Sequence, residues 1–407
     1  MSQINRLKRQ LESSLSDAAT MQDPYPVYHY LRAEAPILHS VGGFSVVTRH
    51  SDVASLIKDH RLGVVEYAKW KEAFYGAEWR DIPVWRHLDH TMEFRNPPDH
   101  KRMRGPFTQG FAPKRIEIFR NSITNLAERQ ITRVREQREF DIIADLLRPI
   151  AVGSISEVIG IPDKYCKVVE NATRDLSVMF DFRRLMPNEL DLCNSAIELL
   201  YELVVDLLEQ RKRRPADDLL TSLVKQDSSD GGDCSDNDLV ANIVTVITAS
   251  VDTIANAIAN GLLALHRHPD ELARVRHNPT FTLEMVDELL RYDGSVQAVA
   301  RIGLEDFCIG DISIRKGECY LLSLGAANRD PAIYFDPDRL NLANAAKQPL
   351  TFGGGIHVCL GAQLARLEAQ IVFETLFRVL PQHTIDQSNV IWRSTVIRGV
   401  EELPCSI

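Results

Sequence analysis

Phe352-Gly353-Gly354-Gly355-Ile356-His357-Val358-Cys359-Leu360-Gly361 places one cysteine at the end of a glycine-rich loop. Beyond it, Leu360, Leu364, Leu367, Ile371 and Leu376 recur at near-helical period with no Gly or Pro after Gly361, which predicts an amphipathic helix over 360–380. Cys359 then sits at a helix N-terminus, where unpaired N–H groups and the macrodipole favour a thiolate. Glycines at 353, 354, 355 and 361 remove Cβ atoms that would keep a flat macrocycle off the backbone. A thiolate presented in this way suits an axial ligand of haem iron.

Simpler readings compete. A lone cysteine is commonly a small buried hydrophobe. The glycines do not form a dinucleotide loop, because Val358 stands three after Gly355, nor a P-loop, because no Lys-Ser/Thr pair follows. Zinc would need more ligands at close spacing than His357 and Cys359. The stretch resembles, position for position, the haem-ligand signature of the cytochrome P450 family, whose fixed types fall on Phe352, Gly355, His357, Cys359 and Gly361. The resemblance implies a mainly α fold with a small β portion. It also implies haem b held by the Cys359 thiolate, with Phe352, His357 and Gly361 against the cofactor.

At 407 residues the length alone would suggest more than one domain. No composition shift, repeat or linker supports a division, so one domain over 23–407 is expected, preceded by an extension over 1–22. The net charge of −9 argues against a nucleic-acid partner. Seven scattered cysteines, an odd number, fit a reducing compartment rather than a disulfide framework. The N-terminus shows no apolar signal or anchor. The apolar run 239–265 carries Asp252, Asn242, Asn256 and Asn260, so it reads as a helix buried in a cytoplasmic protein, not a membrane span.

That central run contains Ala249-Ser250-Val251-Asp252-Thr253. A carboxylate beside an alcohol in an apolar helix needs partners once buried. The pair could move protons, or Thr253 could simply bend the helix by bonding back one turn. By resemblance, Ala249 to Thr253 fall on the family's oxygen-groove pattern, with Ser250 in place of a usual glycine. Asp252 and Thr253 are then the catalytic candidates, and Ala249 lines the groove.

Upstream, Asn96-Pro97-Pro98-Asp99-His100-Lys101-Arg102-Met103-Arg104 starts a helix that presents His100 and Arg104 on one face. By resemblance, His100, Arg104, Arg301 and His357 hold the haem propionates. Glu288 and Arg291, three apart, match a family clamp whose third member, an arginine, aligns with Asn344. Three of the four tryptophans, Trp70, Trp79 and Trp85, fall in 63–94 with Tyr67, Phe74 and Tyr75, either lining a ligand site or covering the core. Helices are expected over 115–135, 142–159 and 195–214, strands over 44–48, 307–314 and 319–324, and a loop over 226–237. Arg183 and Arg184 in 176–186 read as a solvated loop or a lure for an anionic substrate. A final hairpin over 395–404 would send Ile397 into the pocket.

The resemblance implies a monomeric monooxygenase acting on a small molecule. With no flavin or nicotinamide site in the chain, electrons would come from a ferredoxin or flavodoxin-type donor with its reductase. Lys101, Arg102, Lys114, Arg115 and Arg366 are expected to form a basic docking patch for it. A peroxide-driven peroxygenase and a non-catalytic haem sensor or carrier are the alternatives.

Overall fold

The computed structural model describes residues 22–41, 44–64, 71–72, 74–179, 183–229, 235–310, 312–343, 349–393 and 397–407. The expected extension therefore lies outside the described residues, except for Gln22. Strands β1 (Ile37–Val41), β2 (Phe44–Val47), β3 (Leu62–Gly63), β4 (Ala298–Gly303) and β5 (Cys319–Ser323) form a sheet in the order β1-β2-β5-β4-β3. The β2–β5 pair is parallel and the others are antiparallel. Side chains alternate across β5: Tyr320 and Leu322 join one buried cluster with Val47 and Ile314, while Leu321 joins another with Leu31, Leu38 and Val46. Both faces are covered, so the middle of the central strand, Tyr320-Leu321-Leu322, is buried on both sides.

The helices that position the site are α1 (Asp99–Thr108), α2 (Arg148–Ile159), α3 (Pro187–Arg213), α4 (Asp236–Ala249), α5 (Asp252–Arg267), α6 (Leu283–Tyr292) and α7 (Ala362–Val379). The expected helix over 115–135 begins instead at Arg120, behind a short helix at Pro113–Glu117. The one over 142–159 opens as a π-helical turn, Ile142–Leu147, capped by the Asp141 carboxylate. α3 starts eight residues before its expected first residue because Pro187 occupies its first turn and Glu189 accepts the Met186 N–H. The helix Leu219–Ser229 runs into the expected loop, and Ser235 then caps α4.

The run 239–265 is two helices rather than one. α4 ends at Ala249, α5 begins at Asp252, and Ser250 and Val251 lie between them. Both pass through the main core, and α5 packs on α2, α6 and α7. Its Gly261 lets α7 come close, since a Cβ there would lie 2.8 Å from the Phe373 ring. The helical line Asp236–Arg267 is long and apolar enough to cross a membrane, but 78% of its most apolar window is buried inside the molecule. It is a core element because the surrounding helices cover it on nearly every side.

Candidate functional site

The loop 352–361 lies between the small sheet and α7. The Cys359 N–H donates to the Phe352 carbonyl at 2.9 Å, closing the loop on itself. Gly361, not Cys359, caps α7, so the cysteine stands two residues before the cap. Its sulfur receives the Gly361 N–H, and Arg104 and Arg366 favour the thiolate, yet burial outweighs them and pushes the thiol up. The side chain is nonetheless accessible to solvent. Accessible and desolvated together describe a group lining an internal cavity.

The loop glycines do different jobs from those expected. Gly355 has φ +67°, and a Cβ there would lie 2.6 Å from the Ile57 carbonyl oxygen. A Cβ on Gly354 would meet the Ile57 side chain at 2.9 Å. These two serve close packing on residues 57–58. Only Gly361 faces open space, with nothing within 4 Å of an added Cβ.

Around the loop gather donors that have no ion pair among the described residues. The rings of His100 and His357 lie 4.1 Å apart, and neither buried Nε2 has a hydrogen-bond partner. Burial and neighbouring cations hold both neutral, His100 down to about 4 and His357 to about 3. Arg301, 7% exposed, is lowered to about 10 by burial and donates only to the carbonyl of its neighbour Ala300. Arg104 donates to the Val358 carbonyl at 2.6 Å and is likewise lowered by burial. Neither arginine has an ion pair among the described residues. Four donors converging without a carboxylate partner fit the two carboxylates of a bound macrocycle. The site residues therefore suit haem.

Across the cavity runs the break in the central helix. Between Val240 and Leu265 only Thr248, Ala249, Ser250 and Thr253 are not buried. Ala249 is the most open of them, so the helix line is uncovered only at its break. Thr253 Oγ1 donates to the Ala249 carbonyl at 2.6 Å, and Ser250 Oγ to Val246 at 2.7 Å. Back-bonding of this kind bends helices. It also turns the Ser250 hydroxyl toward its own backbone, so the serine causes little obstruction where glycine is usual.

Asp252 departs from the expectation of an acid standing beside the alcohol. It is 4% exposed and held between Arg148 at 2.8 Å and Arg393 at 2.9 Å. Adjacent positions on a helix point about 100° apart, so Thr253 faces the cavity while Asp252 faces two arginines. Arg393 in turn lies 3.6 Å from exposed Glu401. Sequence reading gave no sign of these arginines, which arrive from distant segments.

The wall opposite α3 and α4 is stitched by hydrogen bonds. Val84 N–H donates to Asn194 at 3.1 Å, Met92 N–H to Asn242 at 2.7 Å, and Leu185 N–H to the Tyr75 hydroxyl at 3.0 Å. His90 pairs with Asp238 at 2.8 Å. His87, held neutral by burial at about 3, lies between Tyr201 and Thr245 at 3.1 and 3.4 Å. Thr245 spends its proton on Ala241, so His87 Nε2 donates to it and Nδ1 accepts from Tyr201. Trp79 and Trp85 are core residues at 1% and 0% exposure, which favours the covering role; Trp70 and Tyr67 lie outside the described residues.

The Cytochrome P450 family profile matches residues 85–391. The chain belongs to the cytochrome P450 family. It is 31% identical over 395 residues to "Putative cytochrome P450 133B1" of Xylella fastidiosa, covering 96% of this chain and 97% of that one. It is 30% identical to "Biotin biosynthesis cytochrome P450" of Bacillus subtilis, over 97% and 98% of the two chains. Among solved structures, P450BioI in complex with hexadec-9Z-enoic acid ligated Acyl Carrier Protein superposes with a TM-score of 0.85 at 30% identity, over 96% and 100%. CalO2 gives 0.86 at 27% identity, over 96% and 97%. The mainly helical P450 fold, the monooxygenase class and the family's haem b with a cysteine thiolate ligand follow.

Two P450 elements differ here from their expected form. Glu288 receives Arg291 through both oxygens at 2.6 and 2.8 Å, and the Asn341 N–H at 3.2 Å; Arg291 also donates to Asn328 and Pro337 carbonyls. A backbone N–H thus supplies part of what a third arginine would, while Asn344 itself lies outside the described residues. The basic patch is also thinner than expected. Arg115 pairs with Asp217 at 2.8 Å, Arg366 with Asp287 at 2.7 Å, and Arg102 with Asp99 at 3.3 Å. Arg183 is likewise bidentate to Glu189, which removes it as a lure for anions. Ile397 is half-buried and bridges to Val296.

Proposed function

We propose that this P450, one domain over 23–407, inserts one atom of dioxygen into a small, largely apolar organic substrate by hydroxylation or epoxidation in a cytoplasmic biosynthetic or catabolic step. Cys359 is the iron ligand, and His100, Arg104, Arg301 and His357 hold the propionates, with Phe352, Gly361 and Ala249 against the ring. The observation that carries this is the cluster of four donors, His100 and Arg301 buried and Arg104 and His357 half-buried, that have no ion pair among the described residues and surround an accessible cysteine. When bound, the haem supplies the oxidising chemistry.

The chain's own residues supply the surroundings. Thr253 presents a hydroxyl to the cavity, and its bond to Ala249 fixes the helix break. Asp252 can hand a proton toward that side only if it leaves Arg148 or Arg393, so in the closed arrangement it acts as a buried counter-ion. The Nε2 atoms of His100 and His357, buried without a partner, are placed to donate hydrogen bonds to the propionates. Lys101 and Lys114, which have no ion pair among the described residues, are the cations left for an acidic ferredoxin or flavodoxin-type donor.

The test is spectroscopic. The reduced protein with carbon monoxide should show the thiolate-type band, and Cys359→Ser should fold yet lose it. An intact band in the variant would refute the ligand assignment. A substrate screen then reads the shift of the ferric protein from low to high spin.

A further inference from the structure

Asn256 and Asn260, two polar residues of the apolar run, have no part in the site. With Asp252 they recur every four residues on α5 and so form one stripe along a single face. All three are buried. Each is bonded to the same distant segment, the ribbon in which Ile391–Trp392 pairs with Val400–Glu402. Asp252 Oδ2 accepts from Arg393 at 2.9 Å, Asn256 Oδ1 accepts the Val400 N–H at 3.0 Å, and Asn260 Nδ2 donates to the Arg398 carbonyl at 3.2 Å. Asn256 Nδ2 also donates to the Asp252 carbonyl at 2.8 Å. A Cβ on Gly399 would lie 1.9 Å from Asn256 Oδ1, so the ribbon sits flush on the helix.

The seat matters because the ribbon carries Arg393. That arginine is the hydrogen-bonded holder of Asp252, while Arg148 comes within 2.8 Å of Oδ1 but out of line for a hydrogen bond. Arg393 has a second acid in view. Its buried Nε has no hydrogen-bond partner, and Glu401 Oε2 stands 3.6 Å away, just beyond hydrogen-bond distance. Glu401 rides on the same ribbon and is exposed on the wall of a surface cavity of about 830 Å³. The Arg393 N–H donates to the Gly399 carbonyl at 3.0 Å, which ties it to the residue packed on Asn256. Lifting the ribbon therefore takes Arg393 off Asp252 and leaves it beside Glu401. Buried hydrogen bonds add little net stability, but they fix one register where an apolar face would permit sliding.

We propose that Asn256 is a positioning residue that, by seating the ribbon, keeps Arg393 on Asp252 rather than on Glu401. The proposal rests on the monooxygenase reading above. In that reading Asp252 takes one proton from water and passes it toward Thr253, the carboxylate ending ionised as it began. Unseating the ribbon leaves Asp252 with Arg148 alone, so it leaves its cage more often.

Asn256→Leu keeps the outline of the side chain and removes its hydrogen bonds. In the apoprotein, hydrogen exchange across residues 391–402 should quicken at least about fivefold, at more amides than Val400 alone. In the holoenzyme, turnover should rise at least about twofold and its solvent deuterium isotope effect should shrink, because the proton step is the one relieved. Adding Glu401→Gln removes the competing charge, so Arg393 returns to Asp252 and both readouts should move back toward the parent. Gly399→Ala crowds Asn256 from the ribbon side and should behave like Asn256→Leu; it supplies the same test where the first variant does not fold.

Exchange unchanged in both Asn256→Leu and Gly399→Ala overturns the proposal, since the ribbon then needs no seat. Faster exchange that Glu401→Gln fails to reverse makes Asn256 a stability residue and overturns it equally. So does faster exchange with turnover lowered or the isotope effect unmoved. The exchange measurements need no haem, so they judge the seat independently of the monooxygenase reading. Protein that takes up no haem, or lacks the thiolate band, sinks that reading instead.

Discussion

Two kinds of buried charge occur in this molecule. In one, every cation has its acid: Glu288 with Arg291, Asp252 with Arg148 and Arg393, Asp293 with Arg398 at 2.6 and 3.0 Å. In the other, around the loop 352–361, Arg104, Arg301, His100 and His357 converge with no ion pair among the described residues, although the charge of Glu93 acts on Arg301. The closed sets tie segments that are remote in sequence and hold the fold. The open set leaves electrostatic work undone, and that unfinished state is where a charged cofactor fits. Burial alone does not separate the two; the partner does.

The largest effect should come from breaking a closed set. Arg291→Ala leaves Glu288 buried with only the Asn341 N–H, a loss of roughly 3–5 kcal/mol. Denaturant unfolding of the apoprotein measures it, and a loss below about 1 kcal/mol would mean the backbone donor suffices. Next is Glu368 on α7, whose carboxyl is pushed up to about 8 by burial, with Ser154 easing it. The folded chain holds that proton up to about pH 8 while the unfolded chain releases it near 4.5, so folding stability falls as pH rises between them. Glu368→Gln should flatten this slope and add roughly 2–4 kcal/mol at pH 8, seen in Tm measured from pH 5 to 8.

Opening the open set further should behave in the opposite way from Arg291→Ala. Arg301→Leu removes an unpaired buried cation, so the apoprotein should be as stable as the parent or about 1 kcal/mol more so, while haem dissociates at least about tenfold faster. Destabilised apoprotein would place Arg301 among the closed sets. Smallest in stability is Thr253→Val, expected to cost under about 1 kcal/mol. Its effect should be on coupling: less product per reductant consumed and more released peroxide. Coupling equal to the parent would leave Thr253 with only the helix bend.

How much was legible beforehand follows the same division. The loop 352–361 could be read because its residue types and spacing are local. His100, Arg104 and Arg301 came from resemblance and the structure brings them to the same loop. The central run was readable as buried, but its break was not, because Thr253 bonding to Ala249 and Ser250 to Val246 leave the apolar period unchanged. Asp252 was misjudged, since its partners Arg148 and Arg393 lie about a hundred or more residues away on either side and no spacing rule connects them. The thinning of the basic patch was hidden for the same reason: Asp217 and Asp287 pair with Arg115 and Arg366 from other segments.

The stitched wall bears on how fast a molecule gets in. Val84 to Asn194, Met92 to Asn242, His87 to Tyr201 and His90 to Asp238 hold it against α3 and α4. At about 1 kcal/mol net each, releasing all four costs about 4 kcal/mol, so a state with the wall released would be populated about one part in a thousand. If entry waits for that opening, arrival is slowed by the same factor, and so is departure, leaving residence long even for a weakly held guest. Asn194→Ala cuts one stitch and should speed both directions about fivefold in stopped-flow without changing the equilibrium affinity.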